Sequence, residues 1–100
     1  MTKYIVKILH IALRDIDDIY KYIREEFKEI NIAKKTVGLI EEGILGLEKM
    51  PYRGALRKRG NFAYKGYHQI FINKFTIIYR INENNKEVLI FTVRYTKSSF

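Results

Sequence analysis

The last third of the chain sets the tightest limit on its fold. Residues 67–72, 75–81 and 87–94 follow one another as three runs of β-branched and aromatic side chains. Asn73-Lys74 leaves room only for a tight hairpin, and residues 82–86 for a slightly longer polar turn. These spacings predict an antiparallel meander over residues 64–94. Alternation places Phe75, Ile77, Tyr79 and Ile81 on one face and Thr76, Ile78 and Arg80 on the other. In the last run Leu89, Phe91 and Val93 alternate with Val88, Ile90 and Thr92. A sheet that is largely apolar on both faces needs cover on both sides. Helices can supply one side, and a loop, the C-terminal tail or a partner chain the other.

The helices come earlier in the chain. Residues 3–9 read as a first strand ending at His10, a residue expected to sit at a strand-to-helix junction. Ala12, Ile16, Ile19, Tyr20, Ile23, Phe27 and Ile30 then recur at spacings of three and four, predicting an amphipathic helix over 13–29. Asp15, Asp17 and Asp18 are expected to complement the positive end of its dipole on a solvated face, not to hold a metal. Asn31 is the expected N-cap of a second helix, whose stripe runs Ala33, Val37, Ile40, Ile44 and Leu47 and stops at Met50-Pro51. Gly38, Gly43 and Gly46 interrupt that helix, which implies either close packing or a face that receives a partner. The predicted fold is a single α+β domain over 1–100, a helical hairpin packed on a small antiparallel sheet in the order β-α-α-β-β-β.

Charge is distributed very unevenly. Residues 1–50 carry nine Lys/Arg against nine Asp/Glu, whereas residues 51–100 carry ten against two, so the whole net charge of +8 lies in the second half. Such asymmetry points to a nucleic-acid or acidic-partner surface. It is densest over 51–73, where Arg53, Arg57, Lys58, Arg59 and Lys65 are interleaved with aromatics and no acid intervenes. The absence of cysteine excludes a disulfide framework and thiolate zinc, and two distant histidines argue against a metal centre. No apolar run reaches the roughly 20 residues of a membrane span, which predicts a soluble, cytoplasmic protein with no membrane partner.

No glycine-rich nucleotide loop or serine–histidine–acid set is present. Cations and aromatics remain, and they can neutralise phosphates, stack on bases and stabilise a phosphorane-like transition state without a metal or other cofactor. Cleavage of that kind also needs a proton acceptor and a proton donor, for which His68 is the neutral-pH candidate.

The strand followed by Ala12-x-x-Asp15-Ile16 and Tyr22-Ile23, then Leu47-x-x-Met50-Pro51-x-x-Gly54, resembles the RelE/ParE superfamily of toxins from type II toxin–antitoxin operons. So do Tyr67-His68-x-Ile70, the run from Phe75 to Ile81, and Val88-x-Ile90-x-x-Val93-x-Tyr95-x-Lys97. The resemblance implies one of two activities, metal-free cleavage of mRNA on the ribosome or non-enzymatic poisoning of DNA gyrase. A catalytically inactive, nucleic-acid-binding toxin-like module is a third reading. On the first, which the localised charge favours, His68, Arg80, Arg94 and Lys97 form the catalytic set. Arg53, Arg57, Lys58, Arg59, Lys65, Tyr95 and Phe100 then hold nucleic acid. His68 stands where many members have arginine, and Thr96-Lys97 replaces the histidine-tyrosine of some ribosome-dependent members. The resemblance also implies a small acidic antitoxin as partner, bound in a hetero-oligomer.

Overall fold

A computed structural model describes residues 3–98 of the chain. β1 (Ile5–Ile8) leads directly into α1 (His10–Phe27), and α2 (Ile30–Leu45) returns alongside it. Two short 3-10 turns, Gly46–Glu48 and Pro51–Arg53, carry the chain to β2 (Ala55–Leu56). β3 (His68–Ile72), β4 (Phe75–Asn82) and β5 (Glu87–Tyr95) complete a five-stranded sheet in the order β1-β5-β4-β3-β2. The predicted α+β hairpin-on-sheet architecture is present, with two additions. β1 pairs parallel to β5, with Ile5 opposite Glu87 and Ile8 opposite Ile90, so the sheet is mixed. β2, too short to register as a run of residues, pairs antiparallel to β3 through Ala55–Gln69 and Leu56–His68.

Ala12, Ile40, Ile44 and Leu47 from the helical layer meet Ile70, Ile77, Tyr79, Val88, Ile90 and Val93 from the sheet to form the core. Gly43 decides between the two readings of the helix glycines. A Cβ there would lie 2.6 Å from the end of Ile72, so this glycine permits close approach of α2 to β3. Gly38 has nothing within 4 Å of the same position. The helix termini differ from expectation. α1 begins at His10, three residues early, so Asp15 lies beyond its first turn and does not serve the dipole. Lys28, in the left-handed region at φ 49°, ends the helix. Glu29, not Asn31, caps α2, its side chain accepting from the Asn31 N–H.

Asp15 is not solvated scenery either. β1 ends opposite Ile90, leaving the next stretch of β5 without a neighbouring strand on that edge. The Asp15 carboxylate takes over there, accepting from the Val93 N–H (3.1 Å) and the Thr92 hydroxyl. Asp17, by contrast, is exposed and pairs with Lys21 one turn on.

Candidate functional site

The open face of the sheet, opposite the helices, is where the basic stretch comes to rest. Residues 57–67 form the arm of a long hairpin whose stem is β2–β3. It is tied by the Arg57 N–H on the Tyr67 carbonyl (2.8 Å) and the Tyr64 N–H on the Arg57 carbonyl (3.1 Å). Tyr64 and Gly66 adopt positive φ to close it. The arm places Tyr67 at the face, edge-on to Phe62 at 5.0 Å and to Phe91 at 4.9 Å. The Arg80 guanidinium lies 5.2 Å from the Tyr67 ring centroid, in cation–π range.

Register defines the rest. Gln69, Ile78 and Thr92 are consecutive partners across β3, β4 and β5. Arg57 reaches the β3 end of this row, donating from Nη1 to the Gln69 amide oxygen (2.9 Å) and from Nε to the Arg59 carbonyl (2.8 Å). Arg94 reaches the β5 end, donating from Nε to the Thr92 hydroxyl (3.2 Å). Arg57 is only 8% exposed, and that burial, together with the nearby charge of Arg59, pulls its pKa below the ordinary arginine value. A guanidinium starts so high that it remains a cation at neutral pH. Ile78, fully buried although it faces away from the helices, forms the floor. The site is thus a row of two anchored guanidinium groups with a third, Arg80, two residues further along β4.

His68 does not join them. It shares the parity of Ile70 and Ile72 and lies on the helix side, stacked on Tyr79 at a centroid distance of 5.4 Å and edge-on to Tyr52. Its Nδ1 is 3.0 Å from the Gly54 carbonyl, which makes that nitrogen the donor. Arg53 also lies on the helix side, with its guanidinium near Gly46. Tyr95 packs edge-on to Phe75 on that side too. Lys97 is exposed in the turn after β5, at the far end of the sheet from His68. Lys58, Arg59 and Lys65 are exposed on the hairpin arm, and Phe100 lies outside the described residues. The predicted catalytic four are therefore divided, with only Arg80 and Arg94 on the open face.

Gln69, Phe91 and Thr92 were not among the expected site residues. A register shift between Ile78 and Tyr79 inserts Phe91 as an extra residue in β5. The parity of β5 changes there, so Phe91 and Thr92 both serve the open face or its edge. No residue type in the strand announces that bulge.

The fold has known counterparts. The family model described as "ParE toxin of type II toxin-antitoxin system, parDE" matches residues 6–100. The chain belongs to the ParE toxin family. It is a toxin of a type II toxin–antitoxin system. Among solved structures, the ParE-family chain is similar to one from a chromosomal ParDE system of P. aeruginosa. The TM-score is 0.78 and identity 22%, over 95% of this chain and 98% of the other. It is also similar to a chain of the RelBE2 toxin–antitoxin complex of Mycobacterium tuberculosis (TM-score 0.68, 22% identity, 95% and 93% covered). A chain of the archaeal RelE–RelB complex of Pyrococcus horikoshii is more distant (TM-score 0.66, 15% identity, 98% and 100% covered). No curated protein sequence matches the chain. Among the described residues no helix is long and apolar enough to cross a membrane.

Proposed function

We propose that this toxin inhibits its target by stoichiometric binding through the open face, and that the target is DNA gyrase. The observation that carries this reading is the position of His68. Metal-free RNA cleavage needs one group to take the 2′-hydroxyl proton and another to protonate the leaving oxygen. The open face offers guanidinium groups, which do not give up a proton at neutral pH, and the phenol of Tyr67, whose ring lies beneath Arg80. The one histidine of the sheet faces the other way, with its Nδ1 proton engaged by Gly54. This departs from the mRNA-cleavage reading that the charge favoured. Three arginines suit binding to an acidic surface as well as to phosphate.

Purified toxin is expected to inhibit gyrase supercoiling at near-stoichiometric ratio, and Arg80→Ala to relieve that inhibition. Primer extension on mRNA translated in its presence is expected to show no codon-associated cuts. Codon-associated cuts that disappear in Arg80→Ala, with supercoiling intact, would overturn the proposal in favour of ribosome-dependent cleavage that uses Arg80. Salt-sensitive nucleic-acid binding with neither effect would leave an inactive binding module.

The natural partner on this reading is a cognate antitoxin. A groove of about 790 Å³ opens between the helical hairpin and the β3–β4 turn, lined by Ile19, Tyr22, Phe27, Ile32, Phe75 and Tyr95. It suits an apolar segment of such a partner. Tyr22→Asp is expected to weaken co-purification with the product of an adjacent small reading frame.

A further inference from the structure

A second cavity, sharing Arg80 with the arginine row, lies where the open face meets the β4–β5 turn. It measures about 390 Å³ and is lined by Arg80, Asn82, Glu83, Asn84, Leu89 and Phe91, with Ile81 behind them. That volume falls within the range of small-ligand sites, roughly 300–1,000 Å³. We propose that this cavity binds a nucleoside monophosphate, with the base against Leu89 and Phe91 and the phosphate on Arg80. The proposal goes beyond gyrase inhibition and does not depend on it.

The hydrogen-bonding character of the walls carries the argument. Glu83 is the one acid lining the cavity, but its carboxylate is already satisfied by the hydroxyls of Tyr4 and Tyr52 and by the Lys86 ammonium (2.7 Å). Its charge is thereby balanced and its oxygens are occupied. Asn82 uses its amide oxygen to accept from the Asn85 N–H (3.3 Å), which turns its NH₂ group into the available half. Asn84 adds a second, exposed amide. The Arg80 guanidinium rests over the Tyr67 ring at 5.2 Å from its centroid, a contact that places the charge at the cavity before any ligand arrives. The walls therefore present one guanidinium matched to phosphate and two amide groups able to read a base edge, the Asn82 NH₂ as donor and the Asn84 amide as donor or acceptor. The remaining lining is apolar and includes one aromatic ring, the requirement for stacking a base. A free inorganic anion would use Arg80 and leave Leu89 and Phe91 without a role.

Adenosine monophosphate, adenosine and inorganic phosphate, titrated separately into the full chain, test this by calorimetry and by amide chemical-shift mapping. The monophosphate is expected to bind more tightly than either fragment and to shift the amides of residues 80–84 and 89–91. Arg80→Ala is expected to weaken it roughly tenfold or more, the usual consequence of losing a charge-assisted contact. Phe91→Leu, which keeps an apolar side chain in the face, is expected to weaken the monophosphate while leaving phosphate unchanged. Arg59→Ala, on the exposed hairpin arm, serves as the control for charge alone and is expected to change affinity less than twofold. Equal binding of phosphate and monophosphate, shifts centred outside the cavity, an Arg59→Ala effect as large as that of Arg80→Ala, or no binding at millimolar ligand would each overturn the proposal. None of these outcomes bears on the gyrase assay.

Discussion

Tyr79→Phe is the sharpest test of how the basic hairpin is held to the sheet. Tyr79 is fully buried, and its hydroxyl lies between two backbone groups of the segment that leads into β2. It donates to the Pro51 carbonyl (2.7 Å) and accepts from the Gly54 N–H (3.1 Å). Phenylalanine keeps the ring, so packing and the His68 stack remain, but both backbone groups lose their partner. A buried polar group left unsatisfied costs about 1–3 kcal/mol. Two such groups, with some local relaxation, give a loss of about 2–4 kcal/mol. A domain of this size has only about 5–15 kcal/mol in total, so the loss lowers the melting temperature on the order of 10–20 °C. Urea denaturation followed by circular dichroism, with unchanged m-value, gives the difference directly. The same experiment above pH 10 provides an internal check. Burial pushes the Tyr79 pKa up from its ordinary 10.0, against the opposing contributions of Gly54 and Arg53. The unfolded phenol therefore ionises first, and the wild type loses stability as pH rises through that region. Tyr79→Phe lacks this contribution and is expected to lose less. A variant within about 0.5 kcal/mol of wild type at neutral pH would refute the account, since exposed hydroxyls behave that way.

The glycines give a graded series measurable by the same method. Gly54→Ala brings a Cβ to 2.4 Å from the Gln69 carbonyl and 2.6 Å from the Tyr79 hydroxyl, and is expected to cost about 3 kcal/mol or more. Gly43→Ala brings a Cβ to 2.6 Å from Ile72 Cδ1 and 2.8 Å from its Cγ1, so that side chain must move and the cost is expected to be about 1–2 kcal/mol, while Gly38→Ala, with open space, gains up to about 1 kcal/mol from helix propensity. Asp15→Ala leaves the Val93 N–H and Thr92 hydroxyl without their acceptor, and is expected to cost about 2 kcal/mol and to raise hydrogen exchange at Val93. Lys86 first, then Tyr52 and Tyr4, hold the Glu83 pKa down to about 2 from its ordinary 4.5. The linked stability is present above about pH 4.5 and is lost as pH falls toward 2. Carbon-detected titration of the Glu83 carboxyl is expected to show this, with Tyr52→Phe moving the midpoint back upward.

What was readable from the chain follows from which interactions are local. The helix stripes and the three long strands rest on periods of 3.6 and 2, which any stretch of sequence displays by itself. Pairing of β1 with β5 joins residues more than eighty positions apart, and no periodicity within β1 encodes its partner. β2 is visible only through its two pairs with β3. The start of α2 moved by two residues because Glu29 outcompetes Asn31 as its cap, a choice between two acceptors that propensity does not make.

The site was legible in composition and illegible in orientation, and the two can be separated at β3. The cations of the second half do gather at the open face, as Arg57, Arg80 and Arg94 show. Whether a strand residue joins them depends on parity alone, because a shift of one position reverses its face. Taking Ile70 and Ile72 as core residues places His68 beside them and Gln69 on the open face, so the correct assignment of His68 was available from the chain once β3 was referred to its buried positions. The same rule fails on β5. There the bulge at Phe91 resets the alternation, and parity counted from Val88 and Ile90 places Thr92 in the core when it belongs to the Gln69–Ile78–Thr92 row. A sheet without that bulge would turn Arg94 toward the helices, away from the face where Arg57 and Arg80 lie. For this sequence the bulge is therefore what brings the third arginine to the site. Deleting Phe91 would straighten β5 and leave Arg94 opposite Thr76 on the open face, whereas inserting one residue between Thr92 and Arg94 without a second bulge would turn Arg94 toward the helices.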